Sequence, residues 1–150
     1  MKKSGIRVML VDDHAVVRMG FRLLLDGTDD ITVVAEAESG EEAVRRHAEV
    51  APDVVVMDIS MPGIGGLAAT ERIRAQSSVA RILVLSAHED VTYAKRALEV
   101  GASGYLTKRS AAEELIEAIR SVADDRVYLE PEIHRELLAQ FPMAFASTRA

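Results

Sequence analysis

Residues 54–63 read VVVMDISMPG. Val54 to Met57 form an unbroken apolar run, rich in β-branched residues, that stops at Asp58. A run without polar alternation predicts a strand covered on both faces, the habit of parallel sheets under helices. A carboxylate at the end of such a strand needs a reason, and the pattern recurs along the chain. Apolar runs also occur at Ile6–Val11, Ile31–Ala35, Ile82–Leu85 and Gly104–Leu106, each ending near a polar residue.

Between these runs lie stretches at helical spacing: Val17, Phe21, Leu24 and Leu25; Val44, His47, Ala48 and Ala51; Ala112, Leu115, Ile116 and Ile119. Ser39 with Glu42, and Ser110 with Glu113, carry the capping-box signature of a helix start. Gly101 after Ala97 and Leu98 predicts a helix stop. Ala94, Ala97 and Leu98 are the inward candidates of the helix before it. Alternation at this spacing reads as βαβ units with right-handed crossovers. The expected fold is α/β: a doubly wound five-stranded parallel sheet, flavodoxin-like order 2-1-3-4-5, with helices on both faces. In that architecture ligands bind at the carboxyl ends of the strands, at the crevice between the first and third. The polar residues ending the runs are Asp12 with Asp13, Asp58, Ser86, and Thr107 with Lys108, so all are expected on one rim.

Composition bounds the function. The chain has 150 residues, is 49% hydrophobic and 28% charged, and carries a net charge of −6. It has no cysteine, which excludes disulfides, thiolate catalysis and cysteine metal sites and is compatible with a cytoplasmic protein. The N-terminal apolar stretch is too short for a signal-peptide core, and nothing approaches the roughly 18 apolar residues of a membrane span. An acidic chain without a lysine or arginine stripe is a poor nucleic-acid binder by itself.

Carboxylates gathered at one rim repel: at ~4 Å and an effective dielectric of ~20, each ionised pair costs on the order of 4 kcal/mol. Such clusters persist around a cation, and an all-oxygen site with room for water suits Mg²⁺. With Lys108 opposite, the rim is built to receive a phosphoryl group, and an aspartate there is a candidate nucleophile forming an aspartyl-phosphate.

Residues 1–125 resemble the receiver domain of two-component response regulators. The resemblance is carried by Asp12-Asp13, Asp58 within VVVMDISMPGIGGL, Ser86 in ILVLSAH and Lys108 in GYLTK. LVDDHAVVRMGFRLLL, DISMPG and YLTKRSAAEELIEAI further resemble the subfamily whose receivers precede a LuxR-type helix-turn-helix domain. The resemblance implies that Asp58 accepts a phosphoryl group from a sensor histidine kinase. It implies that Asp13, Asp58 and the Ser60 carbonyl ligate Mg²⁺ directly, with Asp12 acting mainly through water. It implies that Lys108 pairs with the phosphoryl group, that Ser86 bonds one of its oxygens, and that Tyr105 then moves inward. It further implies a switch that modifies only itself rather than an enzyme with an external substrate, a phosphorylation-dependent homodimer, and contact with DNA only through an output domain. The chain ends before a helix-turn-helix could fit, so a truncated transcription factor and a stand-alone receiver are both open. Two departures stand out. The residue after the lysine, often a cis-forming proline in the family, is Arg109, and a non-proline cis bond costs roughly 2.5–4 kcal/mol; position 86 carries serine where many members carry threonine.

Rival readings are weaker. Aspartyl-phosphate phosphohydrolases place a second acid two residues after the nucleophile, where this chain has Ser60. GIGGLA at 63–68 matches a relaxed nucleotide-binding pattern but reads better as a loop feeding the third helix. His14 follows the acidic pair and His88 follows Ser86, so both are candidates to line the rim; with His47 and His134 they show no paired ligand spacing, and all four read as structural or exposed. Residues 126–150 read as a linker and C-terminal helical extension, with a helix between Pro131 and Pro142; Phe141, Met143 and Phe145 are either a docking stripe or stray linker residues.

Overall fold

The computed structural model describes residues 5–142. The apolar run at 54–57 and the carboxylate that follows it form strand β3 (Val54–Asp58), buried at every position. It lies inside a sheet with β1 (Ile6–Val11), β2 (Ile31–Ala37), β4 (Ile82–Ser86), β5 (Gly104–Thr107) and β6 (Tyr128–Leu129). The sheet order is β2-β1-β3-β4-β5-β6 and every neighbouring pair is parallel. The expected 2-1-3-4-5 order is present. The expected five strands are corrected to six, because Tyr128 and Leu129 pair with Gly104 and Tyr105 on the open edge of β5.

The helices are α1 (Ala15–Asp26), α2 (Gly40–Val50), α3 (Gly65–Gln76), α4 (Val91–Glu99), α5 (Lys108–Ala123) and α6 (Pro131–Gln140). The central strands are apolar throughout because alternate residues feed two cores. Val8, Leu10, Val54 and Val56 pack with Leu25 of α1 and Leu115 and Ile119 of α5. Met9, Val11, Val55 and Met57 pack on the opposite face, where Ala43 of α2, Ile73 of α3, Ala94 of α4 and Ile133 of α6 lie. Each fully buried aliphatic side chain of this kind contributes roughly 1.5–3 kcal/mol.

Local signals held in part. Ser39 caps α2, its Oγ accepting from the Glu42 N–H at 3.1 Å, and the Glu42 carboxylate accepts from the Glu38 N–H at 2.7 Å. Ser110 caps nothing: α5 starts at Lys108, straight out of β5, and Ser110 lies inside its first turn. On α5, Leu115 and Ile119 are buried as the spacing predicts, while Ala111 is buried in place of Ala112, which is exposed; on α2, Ala43 and His47 are buried and Ala48 is exposed. On α4, Val91 joins Ala94 and Ala97 inside, while Leu98 is only partly covered. Gly101, at φ +104°, ends the α4 unit as the sequence predicts. Pro131 opens α6 at its first turn. Met143 and Phe145 lie outside the described residues; Phe141 packs against the α4–α6 side with Lys95 Nζ 5.1 Å above its ring. Among the described residues no peptide bond is cis, so Lys108–Arg109 is trans.

Candidate functional site

The rim forms because parallel strands end together. β1 delivers Asp12 and Asp13, β3 delivers Asp58, β4 delivers Ser86, and β5 delivers Thr107 and Lys108. The switch from β2 on one side of β1 to β3 on the other opens the crevice over Asp12, Asp13 and Asp58. Two of these acids are deeply buried, Asp12 at 3% exposure and Asp58 at 1%.

Lys108 Nζ lies 3.2 Å from Asp12 Oδ2 and 3.2 Å from Asp58 Oδ2, so one ammonium serves two buried carboxylates. The contact to Asp58 is a charge contact without hydrogen-bond geometry, and Asp58 Oδ2 has no donor. Asp58 Oδ1 accepts from the Ser60 N–H at 3.1 Å, which turns the Ser60 backbone toward the carboxylate. Burial pushes the Asp58 carboxyl above the ordinary aspartate value; the Ser60 N–H opposes this, the Asp12 charge adds to it, and Lys108 opposes it. Burial works against the Lys108 charge, but Asp58 and Asp12 outweigh it and raise the ammonium above its ordinary value.

His14 completes the cluster: the sequence reading put it among the rim candidates but not with the acids. Its Nδ1 is 3.0 Å from Asp12 Oδ1 and 3.2 Å from Asp13 Oδ1, and ligand atoms of Asp12, Asp13, His14 and Asp58 all lie within 4.8 Å of one another. Its adjacency to the acidic pair was the available signal. Arg18 was also missed: it donates to the Asp12 carbonyl and, through Nε at 2.7 Å, to Glu36, pinning the turn after β1. Arg22 joins from the same helix and, with Arg18, holds the Glu36 carboxyl below its ordinary value.

Ser86 is fully buried, and its Oγ accepts from the His88 N–H at 2.9 Å. Tyr105 is fully buried too, its hydroxyl donating to the His88 carbonyl at 3.1 Å. The His88 ring stacks on Tyr93 at 4.3 Å between centroids. The GIGGLA loop has a steric purpose: a Cβ at Gly66 would collide with the Asp58 carbonyl and stand 2.8 Å from Ile59 Cα. Helix α3 can therefore approach the end of β3 only with glycine there.

A hard divalent cation fits this donor set. The carboxylate oxygens Asp13 Oδ1 and Asp58 Oδ2 are buried and lack hydrogen-bond donors, and the Asp carboxylates supply the oxygen ligands such ions prefer. The arrangement is an acidic, partly covered pocket with one ammonium, suited to a phosphoryl group bridged by a cation.

Residues 8–120 match the family described as response regulator receiver domain. The chain is 40% identical to response regulator GacA of Pseudomonas viridiflava over 132 residues, covering 88% of this chain and 62% of that protein. It is 42% identical to response regulator UvrY of Escherichia coli (strain K12) over 132 residues, covering 88% of this chain and 61% of that one. The chain thus spans less than two thirds of the length of these relatives. Among solved structures, a two-component response regulator of the LuxR family from Aurantimonas sp. SI85-9A1 superposes with a TM-score of 0.87 at 44% identity, covering 91% of this chain and 98% of that one.

Proposed function

We propose a function from one premise: the chain belongs to the response regulator receiver domain family. It is a signalling switch whose phosphoacceptor is Asp58. The observation that carries this reading is the buried Asp58 carboxylate at the end of β3, 3.2 Å from Lys108 Nζ and with one oxygen lacking a hydrogen-bond donor.

In the proposed reaction, an Asp58 oxygen attacks the phosphorus of a phosphohistidine on a sensor histidine kinase. The P–N bond breaks, its electron pair returns to the imidazole, and an acyl phosphate forms on Asp58. The Ser60 N–H fixes Asp58 Oδ1, so the carboxylate is oriented before the donor arrives. Lys108 faces the incoming charge. The Ser86 hydroxyl accepts from the His88 N–H, and its O–H would turn to donate to a phosphoryl oxygen. Asp12, Asp13, Asp58 and the Ser60 carbonyl would hold Mg²⁺, which neutralises the transferring oxygens. Water attack on the acyl phosphate reverses the state, so the chemistry serves self-modification and not turnover of an external substrate.

Acetyl phosphate with Mg²⁺ should add one phosphoryl mass increment to the protein, and Asp58→Asn should abolish it. Labelling that survives the substitution moves the nucleophile elsewhere and sinks the reading. The further steps are transcriptional output through a LuxR-type DNA-binding domain, phosphorylation-dependent self-association and a cytoplasmic setting. The first is supported by the longer relatives and by the LuxR-family structural neighbour; among the described residues no helix is long and apolar enough to cross a membrane. Sedimentation with and without a phosphoryl mimic tests self-association; a monomer under both conditions overturns it.

A further inference from the structure

The segment beyond the matched residues 8–120 is tied to the rim by one side chain. Glu130 sits between β6 and α6, 23 residues beyond Thr107. Its Oε1 accepts from the Thr107 N–H at 2.8 Å and from the Thr107 hydroxyl at 3.2 Å; its Oε2 accepts from the Ser110 hydroxyl at 3.1 Å. Thr107 is the last residue of β5, pairs in register with Ser86, and precedes Lys108. One residue is therefore flanked by the phosphoryl-facing hydroxyl, the phosphoryl-facing ammonium and the carboxylate of the C-terminal segment. Around this strut the segment is seated, not loose: Leu129 pairs with Tyr105, and Ile133 and Leu137 are buried in the core that holds Tyr105 and Ala94. Beside the strut lies a small groove of about 110 Å³, bordered by Thr107, Arg109 and Ile133 and by the carboxylates of Glu89, Glu132 and Glu136.

We propose that Glu130 is a positioning residue that couples the seating of β6 and α6 to the occupation of the phosphoacceptor site, through Thr107. This rests on the phosphoacceptor reading above. Any shift of Ser86 or Lys108 toward a bound phosphoryl group moves Thr107, and with it the backbone N–H that Glu130 holds. The coupling is reciprocal: whatever factor the phosphoryl group applies to the seating of the segment, the segment applies to phosphoryl affinity.

The test uses the whole chain with Mg²⁺ and beryllofluoride as a phosphoryl mimic, comparing wild type, Glu130→Ala, Glu130→Gln and Ser110→Ala. Hydrogen exchange over residues 128–140 reads the seating, and calorimetry reads mimic affinity. In wild type the mimic should change exchange over 128–140. Glu130→Ala should speed that exchange, remove its dependence on the mimic, and shift mimic affinity by on the order of 5-fold or more. Glu130→Gln should restore most of both, because its amide oxygen can still accept the Thr107 N–H and its NH₂ can donate to Ser110. Ser110→Ala, which removes the Ser110 bond to Glu130 and the Thr107 hydroxyl contact at 3.2 Å but keeps the Thr107 N–H bond to Glu130, should show an intermediate effect and serves if Glu130→Ala does not fold. Faster exchange with unchanged affinity would make the strut merely structural and overturn the proposal, as would unchanged exchange. Wild type that fails to bind the mimic at all overturns instead the phosphoacceptor reading beneath it.

Discussion

The two ends of the same sheet treat charge in opposite ways. At the amino ends of the strands, opposite charges are matched and wet. Arg81 makes two hydrogen bonds to Asp125 and Arg120 makes two to Asp30, with Asp125 and Arg120 the exposed partners. At the carboxyl ends, Asp12 and Asp58 are dry and share one lysine. The carboxyl shifts follow: the Arg81 hydrogen bond lowers Asp125, while burial raises Asp58. Paired, solvated charge maintains a surface. Buried charge left short of partners marks a site kept for a ligand, at a cost to the unliganded fold.

The sharpest way to break this contrast is to remove the shared lysine. Lys108→Ala leaves two buried carboxylates without a cation, and losing one partner of such an arrangement costs about 3 kcal/mol. Urea unfolding in EDTA should show that loss, with much of it recovered in Mg²⁺; equal stability of mutant and wild type in EDTA would mean the acids are not in tension.

Next comes the cation itself. Mg²⁺ should stabilise wild type by about 2.7 kcal/mol at 100 times its dissociation constant. Asp13→Ala should raise the melting temperature in EDTA and erase the Mg²⁺ response. A wild type that melts identically across a magnesium titration removes the metal site from the account.

A smaller effect sharpens the sign. Asp58 is raised in the fold, so between the ordinary value of 3.8 and its folded value the native state holds a proton that the unfolded chain lacks. Stability from this group therefore falls as pH rises through that window and stays low above it. In EDTA, Asp58→Asn should melt higher than wild type at neutral pH, and the gap should close as the solution is acidified toward pH 4. Asp125 has the opposite sign: its contribution is present at neutral pH and is lost on acidification. With Asp125 75% exposed, however, Asp125→Asn should leave the neutral-pH melt unchanged, the smallest effect of the set.

What was legible followed from locality. The strands were readable because each is a short apolar run, and the rim because parallel strands must end on one side. The Ser110–Glu113 signature misled because its letters are local while its partner is not: with α5 leaving β5 without a loop, Ser110 was already in the helix and free to meet Glu130. β6 escaped notice because two residues carry no period, and their pairing is decided by the open edge of β5. His14 was seen as a rim candidate but not as a member of the cluster, since the fold of the turn after β1, held by Arg18, decides where its ring goes.

The tyrosines described at the rim have a spectroscopic consequence. The chain has three tyrosines and no tryptophan, so its near-ultraviolet emission is tyrosine emission alone. Two of them meet at one residue, Tyr93 stacked on the His88 ring and Tyr105 bonded to the His88 carbonyl. The third, Tyr128, is hydrogen-bonded to Glu114 on α5. A rearrangement around His88 would thus change the quantum yield of two fluorophores out of three, giving this molecule a label-free optical readout of the segment around His88.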